Sequence, residues 1–272
     1  MGRGSHTVLA GFSCGLLLLL AAAKGQRGLP VTFGKVEARG FIVAGNGQAV
    51  SVGVAGVDLK SGRLGQGGIE PAAYDSVSRV VIFPAPDGEA LSLADAVVAG
   101  QKLRKDGQEF FVEAWVEQVR GRYLPFSLLR VGHSGAAPVS GSPLLNAKGQ
   151  VAAVVYEPAG PGKLYAIPVD VVRRGLVAAR DGVMSRAWMG VVLDPRLQIP
   201  QVVRVVEGSP AAAAGLRKGD ILTELDGRRL ADYGDAVNAL FLLHVGKEAT
   251  VKVRRGGKIV SARVTPQQSK GS

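Results

Sequence analysis

The residues able to do chemistry are few. The chain has three histidines, His6, His133 and His244, and one cysteine, Cys14. The histidines stand at unrelated positions, so they make no metal-ligand set, and neither a metal nor a cofactor is expected. A serine hydroxyl is a poor nucleophile unless a base takes its proton and N–H donors hold the oxyanion. Any hydrolytic reading therefore turns on whether one of so few histidines can reach a serine. The C-terminal third carries backbone signals instead. Ser209-Pro210 can cap and start a short helix, Gly215 can end it, and Gly219-Asp220 can turn the chain into a strand. Asp226-Gly227 fits a two-residue hairpin turn.

The elements that would position these residues are mostly strands. The 272 residues are 47% hydrophobic and 20% charged, a globular balance, with 38 glycines and only 6% aromatics, which suits turn-rich β structure. Short Val-, Ile-, Phe- and Tyr-rich runs between Gly, Pro and Asp turns predict strands at 41–44, 49–54, 80–83, 110–119, 151–156 and 164–167. Pro168–Arg180 reads as a helix. Residues 178–186 are polar without a strand pattern and read as a linker. A smaller unit follows, with strands near 189–193, 201–206, 221–225, 250–254 and 258–264. Its one clear amphipathic helix lies near 235–243, with Asp235 as its cap and Gly246 beyond its end.

Gly208-Ser209-Pro210-Ala211, Ala214-Gly215-Leu216, Lys218-Gly219-Asp220-Ile221-Leu222 and Asp226-Gly227 together resemble the PDZ domains of the HtrA family of envelope proteases. That resemblance implies a carboxylate-binding loop of the form aromatic–apolar–Gly–apolar, here Trp188-Met189-Gly190-Val191. The strand Val191-Val192-Leu193 would then pair with an incoming peptide. Ala236 and Leu240 of the following helix would line the groove.

The first unit resembles the protease domain of the same family most clearly over residues 132–177. Val139-Ser140-Gly141-Ser142-Pro143-Leu144-Leu145-Asn146 is similar to the segment around the family's nucleophile, and Tyr165-Ala166-Ile167-Pro168 to the segment before its closing helix. The resemblance places Ser140 at the nucleophile. It also exposes departures. Ser51-Val52-Gly53-Val54 puts Val54 where the base belongs, and Arg79 falls at the acid, with Asp75 close by. Pro138 stands where the second oxyanion donor would be, and proline has no N–H. Ser140 is thus expected to be a vestigial nucleophile. His133 as a local base and Lys148 as a dyad partner are the remaining rescues.

The beginning of the chain sets the compartment. Arg3, the apolar stretch 8–23 and the small residues Ala21, Ala22 and Ala23 form the pattern of a secretory signal peptide, with an uncleaved anchor as the other reading. Cleavage near Ala23 would leave no cysteine and hence no disulfide. The net charge is +11, and 32 basic against 22 acidic groups would remain after cleavage, a net +10. The excess is scattered, which suits a solvated surface or attraction to an anionic envelope surface. Nucleic-acid binding is not expected.

The expected organisation is a mainly β chain: signal peptide 1–23, chymotrypsin-like double β-barrel 24–177, linker 178–186, PDZ domain 187–266 and tail 267–272. The expected function is an exported, periplasmic or extracellular HtrA-like pseudoprotease that binds peptide or protein C-termini and unfolded envelope proteins. The alternative is a serine endopeptidase using Ser140 with a non-standard base. Oligomeric state is left open.

Overall fold

The structure, a computed structural model, describes residues 28–119, 122–180 and 186–269. The segment 1–23, read from sequence as a signal peptide, lies outside these residues. In the first half, Leu29–Phe33, Val36–Val43, Gln48–Val52 and Val80–Pro84 form the middle of a seven-stranded sheet. Gly62–Leu64 and Ala73–Tyr74 lie at its edges, and Ala90–Leu91 pairs in parallel with Val36–Val43. Val31 and Phe33 are buried while Thr32 between them is exposed, the period-two alternation of a strand with one face in the core.

The second half closes on itself. Arg122–His133, Lys163–Pro168, Val151–Gly160, Pro143–Leu145, Lys102–Lys105 and Gln108–Val119 make a closed six-stranded barrel. Full closure removes exposed edges. A core containing Phe41, Val50, Ile82, Val154 and Ile167 joins the two halves, so the cleft between them has a packed floor. The helix Val169–Arg180 lies over this seam and buries Val171, Val172 and Leu176 in it. It runs on through 178–180, residues read from sequence as linker.

The third unit has its own core, with Met189, Val202, Leu222, Val251 and Val253 among its members. Val191–Leu193 pairs with Val202–Val205, and Ile221–Leu225 lies between Arg228–Arg229 and Ala249–Arg255, which continues to Lys258–Val264. Gln267–Gln268, read from sequence as tail, pairs with Ala187–Trp188. Ser209 caps the short helix Pro210–Ala213 as expected, accepting from Ala212 N. The longer helix is Tyr233–Phe241, and its cap is Asp232 rather than Asp235. Asp232 accepts from Asp235 N at 2.9 Å while the Asp235 carboxylate accepts from Ala231 N at 2.9 Å. Asp232 thus caps the first turn while Asp235 reaches back to the amide just before the cap, a reciprocal pairing akin to a capping box that sets the start upstream of Asp235. Asp220, 1% exposed, receives Arg255 Nε and Nη2 at 2.7 and 2.8 Å, and this pairing holds its carboxyl below the usual range.

The helix Tyr233–Phe241 also seats the PDZ unit on the barrel. Phe241 stacks on Phe126 with ring centroids 4.9 Å apart, and the Arg174 guanidinium lies 4.6 Å from the Phe241 centroid. Asn238 Oδ1 accepts from Ser127 N at 3.2 Å. Arg174 also pairs with Asp75 at 3.7 Å, both side chains 6% exposed. At the helix's first turn, the carboxylates of Glu117, Asp232 and Asp235 crowd within 4.8 Å of one another. Burial first, and then the charges of Asp232 and Asp235, push the Glu117 carboxyl above its ordinary range.

Candidate functional site

Two loops hold the residues singled out from sequence. The first is the nucleophile loop. Ser140 is buried, and its hydroxyl donates to Val52 O at 2.8 Å. The loop's backbone is equally engaged: Arg39 N donates to Ser140 O at 2.8 Å, Gly141 N to Val155 O at 2.8 Å and Ser142 N to Val139 O at 3.2 Å. Gly141, at φ +79°, has no room for a side chain, since a Cβ would lie 1.9 Å from Arg39 O.

The positions expected for the base and the acid do meet in space. Gly53 N donates to Arg79 O at 3.0 Å. The Arg79 guanidinium donates to Gly53 O at 3.3 Å and to Val54 O and Val57 O at 2.7 Å each. The two expected positions thus carry an aliphatic side chain and a cation, neither of which can act as a proton-accepting base. Asp75 has other work: Oδ1 accepts from Val77 N at 3.0 Å and Oδ2 from the Ser78 hydroxyl at 2.8 Å, beside Arg174. His133 Nδ1 is enclosed without a hydrogen-bond partner among the described residues, and its ring tilts against Phe110 at 5.9 Å. Lys148 lies exposed on a hairpin, where its own N–H donates to Asn146 Oδ1 at 2.9 Å. Neither His133 nor Lys148 bonds to Ser140. Pro138 and Val139 line a cleft of about 220 Å³ beside Arg39, Lys105 and Phe110.

The second loop precedes Val191–Leu193. Its carbonyls are used, Met189 O by Ala211 N at 2.9 Å and Gly190 O by Val206 N at 2.8 Å. The amides of Met189 and Gly190 meet no protein acceptor among the described residues. Val191 lies opposite Val205, next to the bonded Gly190–Val206 contact. Antiparallel alternation therefore turns Val191's own N–H and C=O to the outer edge, where no strand pairs among the described residues. Gly190 has φ +86°, and a Cβ there would lie 2.2 Å from Ser209 Cβ and 3.2 Å from Trp188 Cζ2. Trp188 and Val192 are half-buried, as are Val191 and Leu193, while Met189 is 3% exposed and belongs to the PDZ core. Of the two expected groove residues on the helix, Leu240 is half-buried and Ala236 is fully enclosed, so Ala236 offers no surface to a ligand.

Sequence reasoning missed the barrel–PDZ contact made by Phe126, Glu117, Arg174, Asn238 and Phe241. Its signals were an arginine in the apolar stripe of Val169–Arg180 and a glycine, Gly234, inside a helix. A Cβ at Gly234 would fall 1.9 Å from the Glu117 carboxylate.

Comparison with known proteins agrees with this architecture. A PDZ domain model matches residues 187–265. A protein from Rhizobium meliloti named a probable periplasmic serine endoprotease, DegP-like, is 30% identical over 195 residues, 63% of this chain and 38% of its own length. One of the same name from Pseudomonas putida is 31% identical over 204 residues, 66% of this chain and 42% of its own. The chain therefore spans about two fifths of the length of these relatives. Among solved structures, the HtrA-type protease AlgW with a tripeptide superposes with a TM-score of 0.62 at 16% identity, covering 93% of this chain and 97% of that one. AlgW with a decapeptide gives 0.58, covering 87% and 85%. A PDZ unit behind a barrel that superposes on HtrA-type proteases makes the chain similar to the HtrA family.

Proposed function

We propose that the protein is an exported member of the family that does not hydrolyse peptides and that binds peptide or protein C-termini in its PDZ groove. The observation that carries the binding reading is the pair of unpartnered amides at Met189 and Gly190 beside the open edge of Val191–Leu193. N–H groups converging beside a free strand edge receive a carboxylate and then a backbone. That AlgW structures hold a tripeptide and a decapeptide supports the same use. The non-catalytic part rests on Ser140, whose proton is committed to Val52 O, and on Val54, Arg79 and Pro138 around it. The periplasmic naming of the relatives supports export, as does the leader pattern of residues 1–23.

The test is a binding screen with the full chain against peptides ending in an apolar residue, each as free acid and as C-terminal amide. Free acids should bind with Kd of roughly micromolar, about 8 kcal/mol, and amidation should weaken binding about tenfold or more, since hydrogen bonds to a charged acceptor are the strong ones. Equal binding of both forms would rule out carboxylate capture. Labelling by a fluorophosphonate probe that vanishes in Ser140→Ala would restore the endopeptidase reading.

A further inference from the structure

Arg79 is held in a way that its neighbours alone do not explain. Its φ of +63° lies in the left-handed region that a residue with a side chain rarely takes. Nε and Nη2 are fixed on three carbonyls of the 53–57 segment, while Nη1 meets no acceptor among the described residues. The guanidinium is therefore a rigid fork with one tine unused.

Arg79 lines a cavity of about 70 Å³ in the seam between the two halves. The other walls include Leu124, Phe126, Leu128, Ile167 and the ring of Tyr156. Charge from Arg79 reaches the Tyr156 phenol, which burial and then Glu157 push above its ordinary range. The cavity thus joins one cation and one phenolic donor to apolar walls. At about 10–15 Å³ of such space per water it has room for roughly five water-sized groups, enough for a short acid and too little for a peptide or a nucleotide.

We propose that this cavity is a binding site for a carboxylate on a short carbon stem, of the size of propionate or the end of a glutamate side chain. The unused Nη1 can donate to one carboxylate oxygen in a charge-assisted bond, and the apolar walls take the stem. The site lies in the seam between the two halves and depends neither on hydrolysis nor on the PDZ groove.

The experiment is a titration of the isotope-labelled full chain with sodium propionate, with propionamide and with acetyl-glutamate-amide, at constant ionic strength made up with chloride. Propionate should produce saturable amide shifts around residues 53–57, 77–79 and 124–128 with Kd of about a millimolar, and propionamide should bind at least about tenfold more weakly. Arg79→Gln should weaken propionate by a similar factor. Because that change loosens the 53–57 segment, Val77→Phe, at a half-buried lining position away from the guanidinium's partners, serves as a second variant and should abolish saturation by filling the cavity. Saturation by acetyl-glutamate-amide in competition with propionate would support a side chain as the natural source, and saturation by propionate alone would support a free acid. Failure of both acids to saturate, equal binding of propionamide, or undiminished binding in Val77→Phe would overturn the proposal.

Discussion

The nucleophile loop and the carboxylate loop use the same device to opposite ends. Each turns on a left-handed glycine pressed against a neighbour, Gly141 on Arg39 O and Gly190 on the Ser209 side chain. In the first loop Ser140 and its neighbours are bonded inward, to Val52, Val155 and Arg39. In the second, the carbonyls of Met189 and Gly190 are tied down and their amides are not. Apart from the enclosed Ser142 hydroxyl, which has no partner among the described residues, the first loop's bonds point inward as in scaffold, whereas a rigid loop with spare donors can receive an anion.

The comparison breaks most readily at Gly141. Its obstacle is backbone, which cannot step aside, so Gly141→Ala should cost about 4 kcal/mol or more and unfold the barrel pair, as read by denaturant titration. At Gly190 the obstacle is a side chain. Gly190→Ala should cost about 2–3 kcal/mol, and adding Ser209→Gly should recover the part due to collision, since glycine replaces a serine cap at a loss of only a few tenths of a kcal/mol. A double-mutant cycle with no recovery would mean that φ alone is decisive there. The larger Gly190→Val would strain the PDZ fold as well as its binding, so C-terminal amidation of the peptide is the cleaner probe of the loop.

Smaller changes sharpen the contrast. Ser140→Ala should cost about 1–2 kcal/mol by leaving Val52 O without its donor, and under the proposed function it should leave hydrolysis of an unfolded casein-type substrate unchanged. The smallest effect is expected at Glu117, where the two units meet. Its raised pKa means that the docked form holds the proton more tightly than the free glutamate does. Docking should therefore strengthen as pH falls through that raised range, with the gain complete below the ordinary value of 4.5. As pH rises again, repulsion from Asp232 and Asp235 returns. Asp220 works with the opposite sign, since its depressed pKa gives stability that is present above the ordinary value of 3.8 and lost on acidification. The difference between wild type and Glu117→Gln in thermal melts across pH isolates the first effect, and identical pH profiles would show that the three carboxylates do not sense one another.

Local sequence carried much of this. Ser209-Pro210, Gly215 and Asp226-Gly227 act through their own backbone or the next few residues, so their roles were legible without a fold. The distant relations were harder. Arg79 could be placed opposite Val54 by alignment, but nothing local says that its guanidinium would brace three carbonyls some 25 residues earlier in the chain. The helix start was missed because Asp232 and Asp235 are both good caps, and only their reciprocal bonds separate them. Ala236 was expected in the groove because the resemblance puts its helix there. A side chain that small is covered completely by the core beneath it.

The helix Tyr233–Phe241 has a consequence in time. At nine residues it is too short to persist in water by itself. One side of it lies in the PDZ core and another on the barrel strand carrying Phe126 and Ser127, so neither unit can release it without the other. Its amide hydrogens should therefore be among the slowest in the PDZ unit to exchange with deuterated water, opening only when the two units part. The exchange rate of these two and a half turns of backbone would then act as a clock for how often the PDZ unit leaves the barrel.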